Sequence, residues 1–311
     1  MTKYNITLDD FARSFGTDIE DIREKCIGLI DNHDFSYMLI NGYEYDQLIL
    51  HILKKIEEDR QIIGAPERKQ VWSNGWEENY HDFIDSNYDL DKLIPKFIRY
   101  GQPIRYNLTY IKPSDPKFEF NYYSVFRQWL FKKYLAEYEN MYEFGCGTGF
   151  NLVTLAQLYP DKNLYGLDFV PYPVKLINKI AEHYKYNLTG HLFDMISPNK
   201  FPLSLKENSA IFTIGSIEQL AGRFEKFIKY LLEQHVSLCI HIEPVIELYN
   251  ENNLVDYLAI KFQEKRGYTK GFLPYLKKLE SHKMIEILKA KRLFFGSLYM
   301  EGYNCIIWRP N

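Results

Sequence analysis

The chain has 311 residues, of which 46% are hydrophobic and 25% charged, and this is enough to bury a full core in one or two domains. The formal net charge is −3, so the chain has no excess of positive charge with which to bind a polyanion, and we expect no nucleic-acid partner. No apolar run approaches the ~18 residues of a membrane span and the first ten residues are polar, so we expect a cytoplasmic protein without a membrane partner.

The four cysteines show neither metal-binding nor redox spacing. They are Cys26, Cys146, Cys239 and Cys305, and none forms a CxxC pair. Three fall in apolar runs typical of strands or helices, which indicates reduced thiols in the core. We assign no metal ligands.

Residues 1–64 are predicted to form an N-terminal helical module. Cap-like sequences at Thr7 and Thr17 begin two short helices separated by Gly16, and apolar spacing predicts a third helix over about 45–63. The pair has the outline of a helix-turn-helix, but the module carries 7 basic and 13 acidic side chains, and a DNA-recognition helix needs the opposite sign. We expect a lid, a docking surface or a homodimer contact instead.

Residues 65–120 are predicted to be an aromatic-rich connector or lid, and they are the least regular part of the chain. The segment either shapes a substrate pocket or simply connects its neighbours. Arg99 and Arg105 could clamp a carboxylate or phosphate, although each is more often a solvated surface residue.

Three alternate glycines, Gly145, Gly147 and Gly149, follow a short apolar run that contains Glu143. The pattern predicts a strand, a turn in which no Cβ keeps a ligand away from the backbone, and a helix. A dinucleotide fingerprint would need its third glycine where this chain has Phe150, which disfavours an NAD-linked oxidoreductase.

Asp168 ends the next predicted strand, 19 residues after Gly149 (168 − 149). A carboxylate that binds ribose lies about 20 residues beyond such a turn, at the tip of the second strand. The turn and the acid together indicate a nucleotide-like ligand.

Strand and helix patterns alternate through residues 121–311, which indicates an α/β domain with a Rossmann-like, doubly wound and mostly parallel seven-stranded sheet. Two β-rich runs without a helix between them end the chain, so we expect the last strand to be antiparallel. Strands are expected over 141–145, 163–168, 188–193, 209–214, 236–242, 284–291 and 303–308, and helices over 122–138, 151–158, 172–184 and 222–233.

A ligand of an open α/β sheet binds outside the carboxyl ends of the strands, at the point where the strand order reverses. That rule selects side chains at the ends of four predicted strands. They are Glu143, Gly145, Gly147 and Gly149; Asp168 and Phe169; Asp194 and Met195; and the segment from Gly215 to Gln219, which includes Glu218.

The sequence from Glu143 to Gly149 resembles motif I, (D/E)xGxGxG, of the class I S-adenosylmethionine-dependent methyltransferases, and the resemblance covers about residues 120–311. It implies S-adenosylmethionine as the cofactor, with Glu143 and the glycines along the methionine moiety. It also implies that sequence ahead of the motif folds back to supply the acceptor pocket.

The same resemblance assigns the nucleoside contacts. Asp168 would hold the ribose hydroxyls and Asp194 would accept from the adenine amino group, while Phe169 or Met195 would pack on the ring. The fourth strand lacks the (D/N)PPY of family members that methylate amide or adenine nitrogens, so the resemblance favours a hydroxyl or a simple amine as acceptor.

Two titratable residues follow each other on one face of the fifth predicted strand. His241 and Glu243 lie close to its carboxyl end, ahead of Pro244, and are candidates for removing the acceptor proton. A neighbouring carboxylate would raise the pKa of the His241 imidazole. Glu218 is the reserve candidate, and a structural role for His241 is the alternative.

The predicted function is methyl transfer from S-adenosylmethionine to a small-molecule acceptor, foremost a hydroxyl of a sugar or another secondary metabolite. Two alternatives stay open: N-methylation of a simple amine, and a non-catalytic protein that binds the cofactor and regulates a partner.

Overall fold

The computed structural model describes residues 2–65 and 67–311. The strands are β1 Lys3–Asn5, β2 Ser36–Leu39, β3 Ile104–Tyr106, β4 Thr109–Pro113, β5 Asn140–Phe144, β6 Asn163–Asp168, β7 Leu188–Leu192, β8 Ser209–Ile214, β9 Leu238–Glu243, β10 Ile285–Lys291, β11 Phe295–Gly296 and β12 Asn304–Pro310. The α-helices are α1 Leu8–Phe15, α2 Ile19–Asp31, α3 Gly42–Glu58, α4 Arg68–Asp85, α5 Phe118–Tyr134, α6 Phe150–Leu158, α7 Pro171–Tyr184, α8 Glu225–Glu233, α9 Leu254–Arg266 and α10 Phe272–Ser281.

The central sheet has seven strands in the order β7, β6, β5, β8, β9, β12, β10. Strands β5 to β9 pair in parallel, whereas β12 runs antiparallel to both β9 and β10. The predicted doubly wound sheet with an antiparallel last strand is therefore confirmed. After β5 the chain forms β6 and β7 on one side of β5 and then crosses to form β8 on the other side. A crevice therefore opens at the carboxyl ends of β5 and β8.

A second, antiparallel sheet joins the beginning of the chain to its end. Its order is β1, β2, β4, β3, β11. Residues 1–64 contain the predicted helices and also contribute two strands, β1 and β2, to this sheet. The predicted boundary at 64 cuts through one sheet, because strand pairing is a long-range property that local sequence patterns do not report.

Helices α1 and α2 pack on α5 through an aromatic core and a partly buried polar contact. The capping box at Thr7 is present, and Phe15 contacts Trp129 with ring centroids 5.2 Å apart. Asp21 of α2 accepts hydrogen bonds of 2.7 Å from Trp129 Nε1 and from Lys133 Nζ. Part of the acidic face of α2 thus holds the N-terminal helices to the main domain.

The helix α4 lies in the segment predicted to be irregular, and that prediction is wrong there. Its middle, Ser73-Asn74-Gly75, has poor helix formers, so no local signal marks it. It packs against α7 instead, where Tyr80 contacts Tyr172 and the Tyr172 hydroxyl donates to Glu77. Tertiary contacts supply the stability that the helix propensity lacks.

A buried ionic cluster ties β3 to α9 and to the segment before β12. Arg105 is 1% exposed and donates to Val255 O over 2.8 Å and to Asp256 Oδ1 over 3.3 Å. Arg292 pairs with the same Asp256 and with Glu301. Arg105 therefore has a structural role and does not reach a ligand, unlike Arg99, which is exposed at the mouth of a cavity described below.

Candidate active site

The glycine turn after β5 is packed so tightly that side chains would not fit at any of its three glycines. Gly145 has φ +77°, and a Cβ there would lie 2.5 Å from Ser216 Cβ. Gly147 has φ +51°, and a Cβ there would lie 2.7 Å from the Trp76 ring. The turn therefore brings bare backbone to the crevice between β5 and β8.

Gly149 serves packing and does not line a ligand cavity. A Cβ at this position would lie 2.4 Å from Ile177 Cδ1 of α7, at φ +75°. Gly149 lies outside the lining of both cavities described below. The assignment of Gly149 as a cofactor contact is therefore not retained, and its role is close approach of α6 to α7.

Asp168 ends β6 next to the turn, as predicted. Its Oδ2 accepts from Gly147 N and its Oδ1 from Val170 N, both over 3.3 Å. The side chain is 5% exposed, and burial raises the pKa of its carboxyl to about 7 despite these backbone hydrogen bonds. Each oxygen retains a second acceptor position.

A first cavity of about 340 Å³ lies against Asp168. Eight of the residues selected at the strand ends line it: Gly145, Asp168, Phe169, Asp194, Met195, Gly215, Ser216 and Gln219. The lining also includes Ile63, Gly64 and Ala65, the rings of Trp72 and Trp76 of α4, and the basic side chains of Arg68, Lys69 and Arg223. The two tryptophan rings stack with centroids 5.6 Å apart, so an aromatic wall faces the strand ends.

A second cavity of about 500 Å³ adjoins the first. The two cavities share Gly145, Gly215, Trp72 and Trp76, so they meet beside the glycine turn. The second cavity is lined by three buried carboxyl groups and by many aromatic rings. The carboxyl groups belong to Glu119, Glu143 and Glu218.

Glu143 lies in the wall of the second cavity with one oxygen unused. Its Oε1 accepts from Asn151 Nδ2 over 2.7 Å, whereas its Oε2 is buried without a hydrogen-bond partner. Burial raises the pKa of this carboxyl to about 8. A donor or cation in the cavity would satisfy the free oxygen.

Glu218 and Glu243 form a pair of carboxyl groups at the ends of β8 and β9. Glu218 lines the second cavity beside Gly215, whereas Glu243 lies behind it and lines neither cavity. Glu243 accepts from Thr213 Oγ1 over 2.7 Å and from Ser216 N over 3.0 Å. Burial and the neighbouring Glu218 charge raise the pKa of Glu243 well above its ordinary value.

His241 is a core residue and is not placed in the site. Its side chain is fully buried between Phe272 of α10 and Trp308 of β12, and it lines neither cavity. Its Nδ1 lies 2.8 Å from Thr213 Oγ1. Burial lowers the pKa of the imidazole to about 3, so the expected rise caused by Glu243 does not occur.

Sequence reasoning missed Glu119 and Tyr303. The Tyr303 hydroxyl donates to Glu119 Oε1 over 3.0 Å, and Gln102 Nε2 donates to Oε2 over 3.2 Å. Burial raises the pKa of Glu119 to about 7. These residues are separated by up to 184 positions along the chain, so only the fold brings them together.

The cysteine prediction is confirmed, since all four thiols are buried and free. Among the described residues no helix has the length and apolar character required to cross a membrane. They also contain no cluster of three or more His, Cys, Asp or Glu side chains arranged to hold a metal ion.

Neither a scan against family models nor a search of curated proteins finds a match to this sequence. Solved structures do resemble the chain. PigF with S-adenosylhomocysteine is 14% identical, with 91% of this chain and 73% of that chain covered and a TM-score of 0.47. The geranyl diphosphate C-methyltransferase of Streptomyces coelicolor A3(2) is 12% identical, with coverages of 80% and 99% and a TM-score of 0.47. Human N-acetylserotonin methyltransferase is 12% identical, with coverages of 85% and 66% and a TM-score of 0.44.

Proposed function

We propose that the protein transfers a methyl group from S-adenosylmethionine to a small-molecule acceptor. The observation that carries this proposal is the pair of cavities that meet at Gly145 and Gly215. One has the carboxylates and apolar side chains that suit an adenosine, and the other is large enough for a small acceptor.

The residues of the first cavity fit the nucleoside half of the cofactor. The free acceptor positions of Asp168 suit the two ribose hydroxyls, and Asp194 suits the adenine amino group. Phe169 and Met195 offer apolar faces to the ring. In the adjoining cavity the unused Oε2 of Glu143 suits the ammonium group of the methionine moiety. When bound, S-adenosylmethionine supplies an activated methyl group on a positively charged sulfur.

The protein's own part in the reaction is positioning, water exclusion and proton removal. Trp72 and Trp76 cover the junction of the two cavities and keep water from it. Glu218 stands beside that junction and is our candidate for the base. Glu243 is its positioning partner, since Glu243 Oε2 accepts from Glu218 N over 3.5 Å, and burial and the neighbouring Glu218 raise the pKa of Glu243 well above its ordinary value.

We propose a hydroxyl of a sugar or another secondary metabolite as the methylated group. The absence of (D/N)PPY after β8 supports this choice over a planar amide or ring nitrogen. N-methylation of a simple amine is the second candidate, because three carboxyl groups line the acceptor cavity. We also propose a cytoplasmic location, supported by the four free thiols, and retain a homodimer through the N-terminal helices as a prediction.

The first experiment is calorimetric titration with S-adenosylhomocysteine and, in parallel, with NAD. We expect saturable binding of S-adenosylhomocysteine only; binding of NAD alone would refute the proposal. The second experiment incubates the protein with a metabolite extract and S-adenosylmethionine that carries an isotopically labelled methyl group. A labelled small molecule identifies an enzyme, whereas cofactor binding without any transfer favours the regulatory alternative.

A further inference from the structure

The carboxyl group of Glu119 is buried in the acceptor cavity without a cation to balance it. The side chain is 2% exposed, and the groups that hydrogen-bond to it, Tyr303 and Gln102, are both neutral. Each carboxylate oxygen accepts one hydrogen bond and can accept another. A buried carboxyl group costs stability unless it is neutral or paired, so the fold alone gives no reason for an acid here.

The surroundings of Glu119 suit a positively charged group. Aromatic rings line the same cavity, among them Tyr123, Phe150, Tyr299 and Tyr303. Tyr303 stacks on Tyr123 with ring centroids 4.9 Å apart. The Phe150 and Tyr123 rings already hold the buried Arg127 guanidinium, 3.8 and 5.2 Å from their centroids, so the attraction of a ligand ammonium ion to this cavity comes chiefly from the carboxylates.

A second buried carboxyl group in the cavity has one oxygen without a hydrogen-bond partner, while its other oxygen accepts from Gln219 Nε2 over 3.1 Å. Glu218 is 5% exposed and its Oε2 has no hydrogen-bond partner. It belongs to the turn after β8, whereas Glu119 belongs to α5, so two separate elements present acids to one space. Glu143, the third acid, is already assigned to the cofactor's ammonium group.

Four of the five basic residues that line this cavity are exposed or paired, and the fifth, Arg68, is half-buried where the two cavities meet. Lys55, Lys96 and Arg99 are exposed, and Lys96 pairs with Glu78 over 2.5 Å. Arg266 is held by Asp59 over 2.7 Å. Around Glu119 the lining therefore has no basic side chain, so a cation gains from moving toward this carboxyl group, whereas an anion does not.

We propose that the acceptor carries an amino group that enters the cavity as an ammonium ion and binds Glu119, with the atom to be methylated directed toward Glu218. This inference rests on the proposed function and specifies its substrate class as an amine-bearing acceptor. Glu119 recognises the substrate, and Glu218 remains the candidate base.

The test uses three probes of the same size and different charge: benzylammonium, benzyl alcohol and benzoate. Their affinities for the full-length protein saturated with S-adenosylhomocysteine are measured at pH 8 by ligand-observed NMR titration. We expect benzylammonium to bind about 10-fold or more tightly than benzyl alcohol, and benzoate to bind most weakly.

Three variants separate charge from structure. Glu119→Gln keeps the shape of the side chain and is expected to abolish the preference for benzylammonium. Tyr303→Phe removes the hydrogen bond that favours the ionised Glu119 and should weaken the preference at pH 8, whereas Glu137→Gln, which removes an exposed acid just beyond α5, should retain it. Calorimetric affinity for S-adenosylhomocysteine reports whether each variant is folded.

Several results would overturn the inference: equal binding of benzylammonium and benzyl alcohol, tighter binding of benzoate, no detectable binding of any probe, or a preference that persists in Glu119→Gln. Each of these with normal S-adenosylhomocysteine affinity leaves the proposed methyl transfer standing. Loss of S-adenosylhomocysteine binding by the unmodified protein would instead refute the proposed function itself.

Discussion

Replacing Asp168 with alanine tests the cofactor site directly. In the structure each carboxylate oxygen accepts one backbone N–H and has one further acceptor position, which allows two charge-assisted hydrogen bonds to the ribose hydroxyls. Such bonds contribute roughly 1.5–3 kcal/mol each before the cost of ionising the carboxyl is counted. Because burial raises the pKa of Asp168 to about 7, that cost is real near neutral pH. We therefore expect a net loss of roughly 2–3 kcal/mol, or about 30- to 150-fold in affinity.

The assay is isothermal titration calorimetry with S-adenosylhomocysteine at pH 8, where most Asp168 carboxyls are ionised. The matched control is Asp161→Ala, which removes an exposed acid in the turn before β6 and should leave the affinity unchanged. An affinity of Asp168→Ala within twofold of the unmodified protein would remove Asp168 from the cofactor site. An equal loss in both variants would show that the effect is not local.

The remaining predictions concern pH, proton removal and the glycine turn. Burial raises the pKa of Asp168 to about 7, so affinity for S-adenosylhomocysteine should rise from pH 6 to 8. The contribution of Asp168 to the free energy of unfolding should be full below pH ~4 and should decrease as pH rises through 7. A calorimetric affinity that does not change with pH would contradict this. Glu218→Gln should reduce turnover, measured by steady-state kinetics, about 10²- to 10⁴-fold at unchanged cofactor affinity. His241→Ala should lower the free energy of unfolding, measured in urea, by about 1–3 kcal/mol and leave turnover of the folded protein intact. The reverse assignment would restore His241 as the base. Gly147→Ala should lose about 1–2 kcal/mol of stability together with cofactor affinity, because its Cβ would meet the Trp76 ring at positive φ. Gly75→Ala in α4 has free space around the new Cβ and should stabilise the protein by about 1 kcal/mol. Equal melting temperatures for the two variants would refute the packing argument.

The sequence determined those features whose signals are local or have fixed spacing. Alternating strand and helix periods predicted the central sheet, because each pattern reflects which face of an element is buried. The number of residues from Gly149 to Asp168 predicted a carboxylate beside the turn. This spacing corresponds to one helix and one strand, which bring the chain back to the same edge of the sheet at the tip of the neighbouring parallel strand. The strand-end rule then placed Phe169, Asp194, Met195 and Gly215 around one cavity, as the structure has them.

The tertiary structure decided which polar side chains of those elements face a cavity. His241 and Glu243 share a face of β9, but His241 on that face packs against Phe272 of α10 and beside the Trp308 ring of the neighbouring strand β12, and both faces of a central strand in such a sheet are buried. Alternation along a strand identifies residues that share a face and carries no information about what covers it. Glu119, Trp76 and Tyr303 reach the cavities from segments far apart in the chain, and α4 depends on contacts with α7. Such long-range packing leaves no periodic signal, so the acceptor cavity could be described only once the chain was folded.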